Sequence, residues 1–137
     1  MFRSALPRYA RASHEARSLK VLVVDDSAPV RHRLIELIST LPGVEILEAA
    51  QASEARHAIR SGRPDVVVLD LHMPGGSGIE VLEAMREDDP RPTTIVLTND
   101  PTPQSRAACF RIGADFFFDK TTEFQQAVDI IAGLAQA

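Results

Sequence analysis

From Lys20 onward the apolar residues fall into two alternating patterns, a short continuous run and then a stretch where they recur every third or fourth position, five times over. The runs at 20–24, 44–47, 64–69, 94–97 and 115–118 are strand-sized and rich in β-branched or aromatic residues. After the first, Val30, Leu34, Leu37, Ile38 and Leu41 share one helical face until Pro42-Gly43 stops them. A second helix is predicted over 53–60 and closed by Gly62. A third starts at the capping box Ser77-Gly78-Ile79-Glu80 and turns Ile79, Leu82 and Met85 inward. Thr102 followed by Pro103 suits a helix start, and Gly113 its end. Thr122 with Gln125 has capping-box spacing for a last helix through Val128, Ile131 and Leu134. Such alternation implies a parallel sheet with right-handed crossovers and helices on both faces.

The run Val66, Val67, Val68 and Leu69 reads as a strand buried on both faces, and Pro74-Gly75-Gly76 turns the chain soon after it. Asp70 therefore stands at the carboxyl end of a central strand, at the edge of the sheet where α/β folds bind ligands. Other polar residues end the neighbouring strands in the same way: Asp25 and Asp26 the first, Thr98 the fourth, Lys120 the fifth. Three carboxylates brought together repel one another unless cations balance them. Lys120 supplies one positive charge, and a divalent metal suits the other. An all-oxygen carboxylate set fits Mg²⁺, which keeps several waters and accepts phosphate oxygens, better than a soft metal. The Thr98 hydroxyl and the Lys120 ammonium are the donors that a bound phosphoryl group needs.

Composition narrows the classes. A chain of 137 residues, 45% hydrophobic and 25% charged, has material for one α/β domain, 19–137, preceded by a basic arm over 1–18 that is expected to be flexible. Arg3, Arg8, Arg11, Arg17 and Lys20 against Glu15 put +4 on residues 1–20 and leave −8 on the rest of a chain whose total is −4. An acidic body argues against direct nucleic-acid binding, which needs a basic face. No apolar stretch has the length of a membrane span or the form of a signal peptide, and the single Cys109 forms no intrachain disulfide, so a cytoplasmic location is expected. Cys109 reads as a small packing residue, and His14, His32 and His57 as surface or packing residues.

The segments VLVVDDS at 21–27, VVLDLHMPGGSG at 67–78, IVLT at 95–98 and GADFFFDK at 113–120 together resemble a response-regulator receiver domain. The resemblance covers 20–137. It implies the flavodoxin-like, doubly wound five-stranded sheet of order 2-1-3-4-5. It further implies that Asp70 accepts a phosphoryl group from the phosphohistidine of a sensor histidine kinase or phosphotransfer protein. Asp26, Asp70 and the backbone carbonyl of His72 would hold Mg²⁺, with Asp25 assisting. Thr98 and Lys120 would bind the phosphoryl oxygens, and Thr98 with Phe117 would form the mobile switch. No independent enzymatic activity is implied beyond self-phosphorylation and slow self-dephosphorylation. Two other classes share pieces of the pattern. An aspartyl-phosphate hydrolase of the haloacid-dehalogenase type has its carboxylates in an Asp-x-Asp pattern after the first strand, unlike the adjacent pair here. A phosphate-independent binding module would not need all five of Asp25, Asp26, Asp70, Thr98 and Lys120.

Several finer expectations follow. The family often has a small residue where Asn99 stands, so Asn99 is expected to narrow access to the site. His72 is expected at the rim. A proline commonly follows the family's lysine, but Thr121 does so here, which predicts a trans Lys120-Thr121 bond, because a cis bond before a non-proline costs about 2.5 to 4 kcal/mol. Asp115 and Asp119 are expected to protect the edge of the fifth strand. Phe116 and Phe118 share one face and are expected in the core, leaving Phe117 on the other as the shifting ring. With the last helix ending near Ala137, output is expected to leave through the receiver surface itself. The face made by the fourth helix, fifth strand and fifth helix would take a downstream protein or a second copy.

Overall fold

A computed structural model describes residues 18–136. Residues 1–17 of the 1–18 arm and the final residue lie outside the described residues, and with them the expectation of a flexible leader. The chain runs β1 (Leu19–Val24), α1 (Ala28–Ile38), β2 (Val44–Ala49), α2 (Ala52–Gly62), β3 (Val66–Leu69), α3 (Gly78–Met85), β4 (Thr93–Thr98), α4 (Pro103–Ile112), β5 (Phe116–Asp119) and α5 (Phe124–Ala135). The five strands are parallel in the order β2-β1-β3-β4-β5. Both the element sequence and the strand order expected from the sequence are therefore found.

Alternation along the central strands divides the core in two. Leu22, Val24, Val67, Leu69 and Val96 point to one face, where α2, α3 and α4 cover them with Ala55, Ile59, Val81, Leu82, Met85 and Cys109. Val21, Val23, Val66, Val68, Ile95 and Leu97 point to the other, beneath α1 and α5 with Leu34, Ile38, Val128 and Ile131. Apolar residues on consecutive positions are what a strand covered on both sides requires. Among the described residues no helix is long and apolar enough to cross a membrane.

The helix starts show which local signals hold. Ser77 forms the full capping box with Glu80, and Thr102 caps α4 by accepting from the Ser105 amide with Pro103 at the first position. Gly113 ends α4 with φ 130°. Two expectations are corrected. Gly62 lies inside α2, and Arg63 takes the left-handed cap conformation at φ 47°. A Cβ at Gly62 would come within 2.7 Å of Leu47 Cδ1, the mobile tip of a leucine that can move aside. The last helix starts at Phe124 behind Glu123, without the Thr122 cap. Glu123 Oε1 instead accepts from the Asp119 amide and Asp119 Oδ1 from the Thr121 amide, which holds the turn open for one residue more.

The aromatic run of β5 corrects a third. Phe117 is the buried ring, 4% exposed, whereas Phe116 and Phe118 are only partly buried. β5 is an edge strand, so α5 covers its face incompletely, and the rings of Phe116 and Phe118 stack on each other with centroids 6.1 Å apart. On the opposite face Phe117 lies against Cys109, Ala114 and Phe110, with the Arg106 guanidinium 5.7 Å above its ring. The edge aspartates do more than carry charge, since Asp115 Oδ2 accepts from the Thr94 amide at 2.8 Å and so fastens β5 to β4.

Candidate functional site

Parallel register delivers the site. Val24 pairs with Leu69, and the Asp70 amide donates to the Val24 carbonyl, so Asp25 and Asp70 leave adjacent strands side by side. Asp25, Asp26 and Asp70 each offer a carboxylate oxygen, all within 4.8 Å of one another. On the other side Thr98 pairs with Asp119, and the Lys120 amide donates to the Thr98 carbonyl, which brings the hydroxyl and the lysine to the same edge.

The Lys120 side chain is 7% exposed, and a buried ammonium needs partners. Its Nζ lies 2.6 Å from Asp25 Oδ2 and 3.5 Å from Asp70 Oδ1. The other Asp25 oxygen, Oδ1, accepts from the Ser27 amide at 2.8 Å. Asp70 is held more loosely, its Oδ1 accepting from the His72 amide at 3.4 Å. Burial pushes the Asp70 carboxyl up from the ordinary 3.8 to about 6; Lys120 opposes this, Asp25 adds to it, the His72 amide opposes it and Asp26 adds to it. The Asp70 charge is therefore penalised by its surroundings, and another cation beside it would relieve that penalty. Asp26 is exposed, which leaves solvent access on that side.

This donor set fits Mg²⁺: hard carboxylate oxygens converge, and the open side leaves room for the waters that this ion retains. Thr98 is fully buried, with its Oγ1 accepting from the Asp100 amide at 3.1 Å. All five residues singled out from the sequence thus meet at one edge, and His72 and Asn99 are exposed at its rim. The His72 Nε2 stands 3.6 Å from Asp100 Oδ2, a pair that the linear pattern did not reveal. The only cis peptide bond among the described residues is Asp89-Pro90, so Lys120-Thr121 is trans as expected.

Sequence reasoning also missed two neighbours. Gly78 packs so closely on the Asp70 carbonyl that a side chain there would collide with it, and its amide donates to Leu71. A two-residue hairpin, His72–Met73 against Gly76–Ser77, makes that approach possible by turning at Gly75, where φ is 77°. Arg31 donates to the Asp25 carbonyl from α1. Its position on the helix facing the acidic end of β2 is the one signal that pointed to it.

Residues 21–132 match the family model of the response regulator receiver domain. The chain belongs to this family. It is 33% identical over 114 residues to the probable transcriptional regulatory protein TcrX of Mycobacterium tuberculosis, across 83% of this chain and 48% of that protein. Over 120 residues it is 35% identical to a protein-glutamate methylesterase/protein-glutamine glutaminase of Xanthomonas campestris pv. campestris, covering 85% of this chain and 32% of that one. The receiver chain thus spans half or less of the length of these curated relatives. Among solved structures it resembles the response regulator domain of Thermotoga maritima CheB, with TM-score 0.74 and 27% identity over 88% of this chain and 95% of that one. A LuxR-family two-component response regulator from Aurantimonas sp. is similar at TM-score 0.77 and 30% identity, covering 87% of this chain and 86% of the other. Receiver domains of this family are phosphoacceptors that work with histidine kinases or phosphotransfer proteins.

Proposed function

We propose that Asp70 is the phosphoacceptor of this receiver, taking a phosphoryl group from a phosphohistidine with Mg²⁺ held by Asp25, Asp26, Asp70 and the His72 carbonyl. The observation that carries the reading is the convergence of three carboxylates with the buried Lys120 and Thr98 at one sheet edge. Phosphoryl transfer asks a protein mainly for positioning and charge neutralisation. An ionised Asp70 oxygen forms the new O–P bond as the N–P bond breaks, and the imidazole leaves with the electron pair and takes up a proton from solvent. Bound Mg²⁺ would neutralise charge on the phosphoryl oxygens. Lys120, already between Asp25 and Asp70, supplies the second positive charge, and Thr98 a hydroxyl donor. With a carboxyl pushed up to about 6, Asp70 is predominantly ionised above neutrality even without metal.

The acyl phosphate adds about 1.5 to 2 negative charges. Thr98 then reorients toward it and disturbs the packing of Phe117, which pairs with Val96, two positions before Thr98 and so on the same face of the sheet. The face of α4, β5 and α5 carries that change to a downstream protein or a second copy. The test is mass spectrometry of the whole chain after incubation with a small acyl phosphate and Mg²⁺. The expected result is one added phosphoryl group, absent from Asp70→Asn and reduced by chelator. An unmodified wild type, or equal modification of Asp70→Asn, would overturn the assignment.

A further inference from the structure

We propose that Arg31 is a positioning residue for the acidic pocket, an inference that rests on the Mg²⁺ site of the reading above. One guanidinium ties three segments together. From α1, Arg31 Nη1 donates to the Asp25 carbonyl oxygen at 2.7 Å, while its Nε donates to Glu48 Oε1, near the end of β2, at 3.1 Å. The side chain is only 15% exposed, so the fork is fixed by packing as well as by its two acceptors.

The carbonyl that Arg31 grips belongs to the peptide joining Asp25 to Asp26. Rotation of that peptide swings the two carboxylates relative to each other. The Asp25 carboxylate has its own anchors in the Ser27 amide and Lys120. The Asp26 side chain is exposed, so its aim depends on the main chain that carries it. Arg31 touches neither the ligand oxygens nor the transferred group. It acts by holding the plane from which both carboxylates hang, much as groups behind a metal's ligands orient them.

Charge and geometry predict opposite signs, which makes the inference decidable. If Arg31 were only a nearby cation, its loss would strengthen the attraction of the pocket for Mg²⁺. If it fixes the peptide, its loss weakens binding. Lysine keeps the charge but has no planar fork to serve the Asp25 carbonyl and Glu48 together.

The experiment is calorimetric titration of metal-free full-length chains with Mg²⁺, alongside thermal unfolding of each. Both Arg31→Lys and Arg31→Met are expected to bind Mg²⁺ about tenfold more weakly or worse. Glu48→Gln, which slackens the second anchor, is expected to show a smaller loss in the same direction. Leu134→Ala, on α5 away from the pocket, lowers stability and is expected to leave affinity unchanged. Wild-type or tighter affinity in the folded Arg31 variants would overturn the proposal, as would an equal loss in Leu134→Ala. If Arg31→Met fails to fold, Arg31→Lys alone decides. A wild type that binds Mg²⁺ but takes no phosphoryl group would overturn the phosphoacceptor reading and leave Arg31 standing. A phosphorylated wild type whose Arg31 variants bind Mg²⁺ equally well would overturn the Arg31 inference alone.

Discussion

Replacing Asp70 with asparagine is expected to stabilise the metal-free protein, although it removes the proposed phosphoacceptor. The native carboxyl, pushed from 3.8 to about 6, holds its proton more tightly than the unfolded chain does. The charged form is thereby penalised in the folded state, and stability falls as pH rises through this interval. Well below 3.8, by about pH 3, both states carry the proton and the penalty vanishes. At pH 4.5 the two values give a cost of about 1 kcal/mol, and at pH 7.5 about 3 kcal/mol, using 1.36 kcal/mol per tenfold change. Asparagine fills nearly the same volume without the charge, so Asp70→Asn is expected to gain most of that amount at pH 7.5, raising Tm by about 6 to 10 °C. Urea unfolding in chelator at pH 4.5 and 7.5, followed by circular dichroism, measures the gap. Added Mg²⁺ stabilises the wild type by mass action and closes it, because the variant lacks one of the three carboxylates. A variant no more stable than wild type at pH 7.5 with an unchanged m-value, or a gap that does not shrink at pH 4.5, would refute the reasoning.

Lys120→Met leaves Asp25 and Asp70 facing each other without their shared ammonium, and is expected to cost about 3 kcal/mol in chelator, part of which Mg²⁺ restores; denaturant curves with and without the ion read both. Gly78→Ala drives a methyl group into the Asp70 carbonyl and is expected to cost about 1 to 3 kcal/mol and to slow phosphorylation by a small phosphodonor, checked by unfolding and by mass spectrometry. Phe117→Ala is expected to cost about 3 kcal/mol or more and Phe118→Ala clearly less, since only the first ring is fully covered. Comparing partner binding or self-association of Phe117→Ala with wild type, each with and without phosphorylation, tests the switch, and equal phosphorylation-dependent changes would remove Phe117 from it.

The fold was legible because each strand is continuous and apolar while each helix is periodic, and because a parallel sheet sends every strand end to one edge. Knowing that Asp25, Asp70, Thr98 and Lys120 follow strands was enough to bring them together. What escaped depends on tertiary coverage rather than on local pattern. Alternation separated Phe117 from Phe116 and Phe118, but which side was better covered depended on Cys109, Phe110 and Arg106 from α4. Thr122 carried a valid cap signal that lost to the interlocked hydrogen bonds of Asp119 and Glu123. Gly62 looked like the helix stop because glycine usually takes the left-handed cap, whereas here that conformation falls one residue later, on Arg63. Arg31 and Gly78 act through main-chain carbonyls, and a carbonyl leaves no mark in the sequence.

The ion pair between Lys120 and Asp25 spans 95 positions. During synthesis the two amino-terminal aspartates and Asp70 emerge long before their lysine, and β5, the last strand in chain order, forms an edge of the sheet. Until it docks, a nascent chain whose first three strands have paired crowds its carboxylates without the ammonium that contacts Asp25 and Asp70. Contacts between such distant positions carry a loop-closure cost and slow folding. On the proposed reading, a chain that stops short of Lys120 holds the three carboxylates of the site without the ammonium that contacts two of them, so the site is complete only when the last strand is in place.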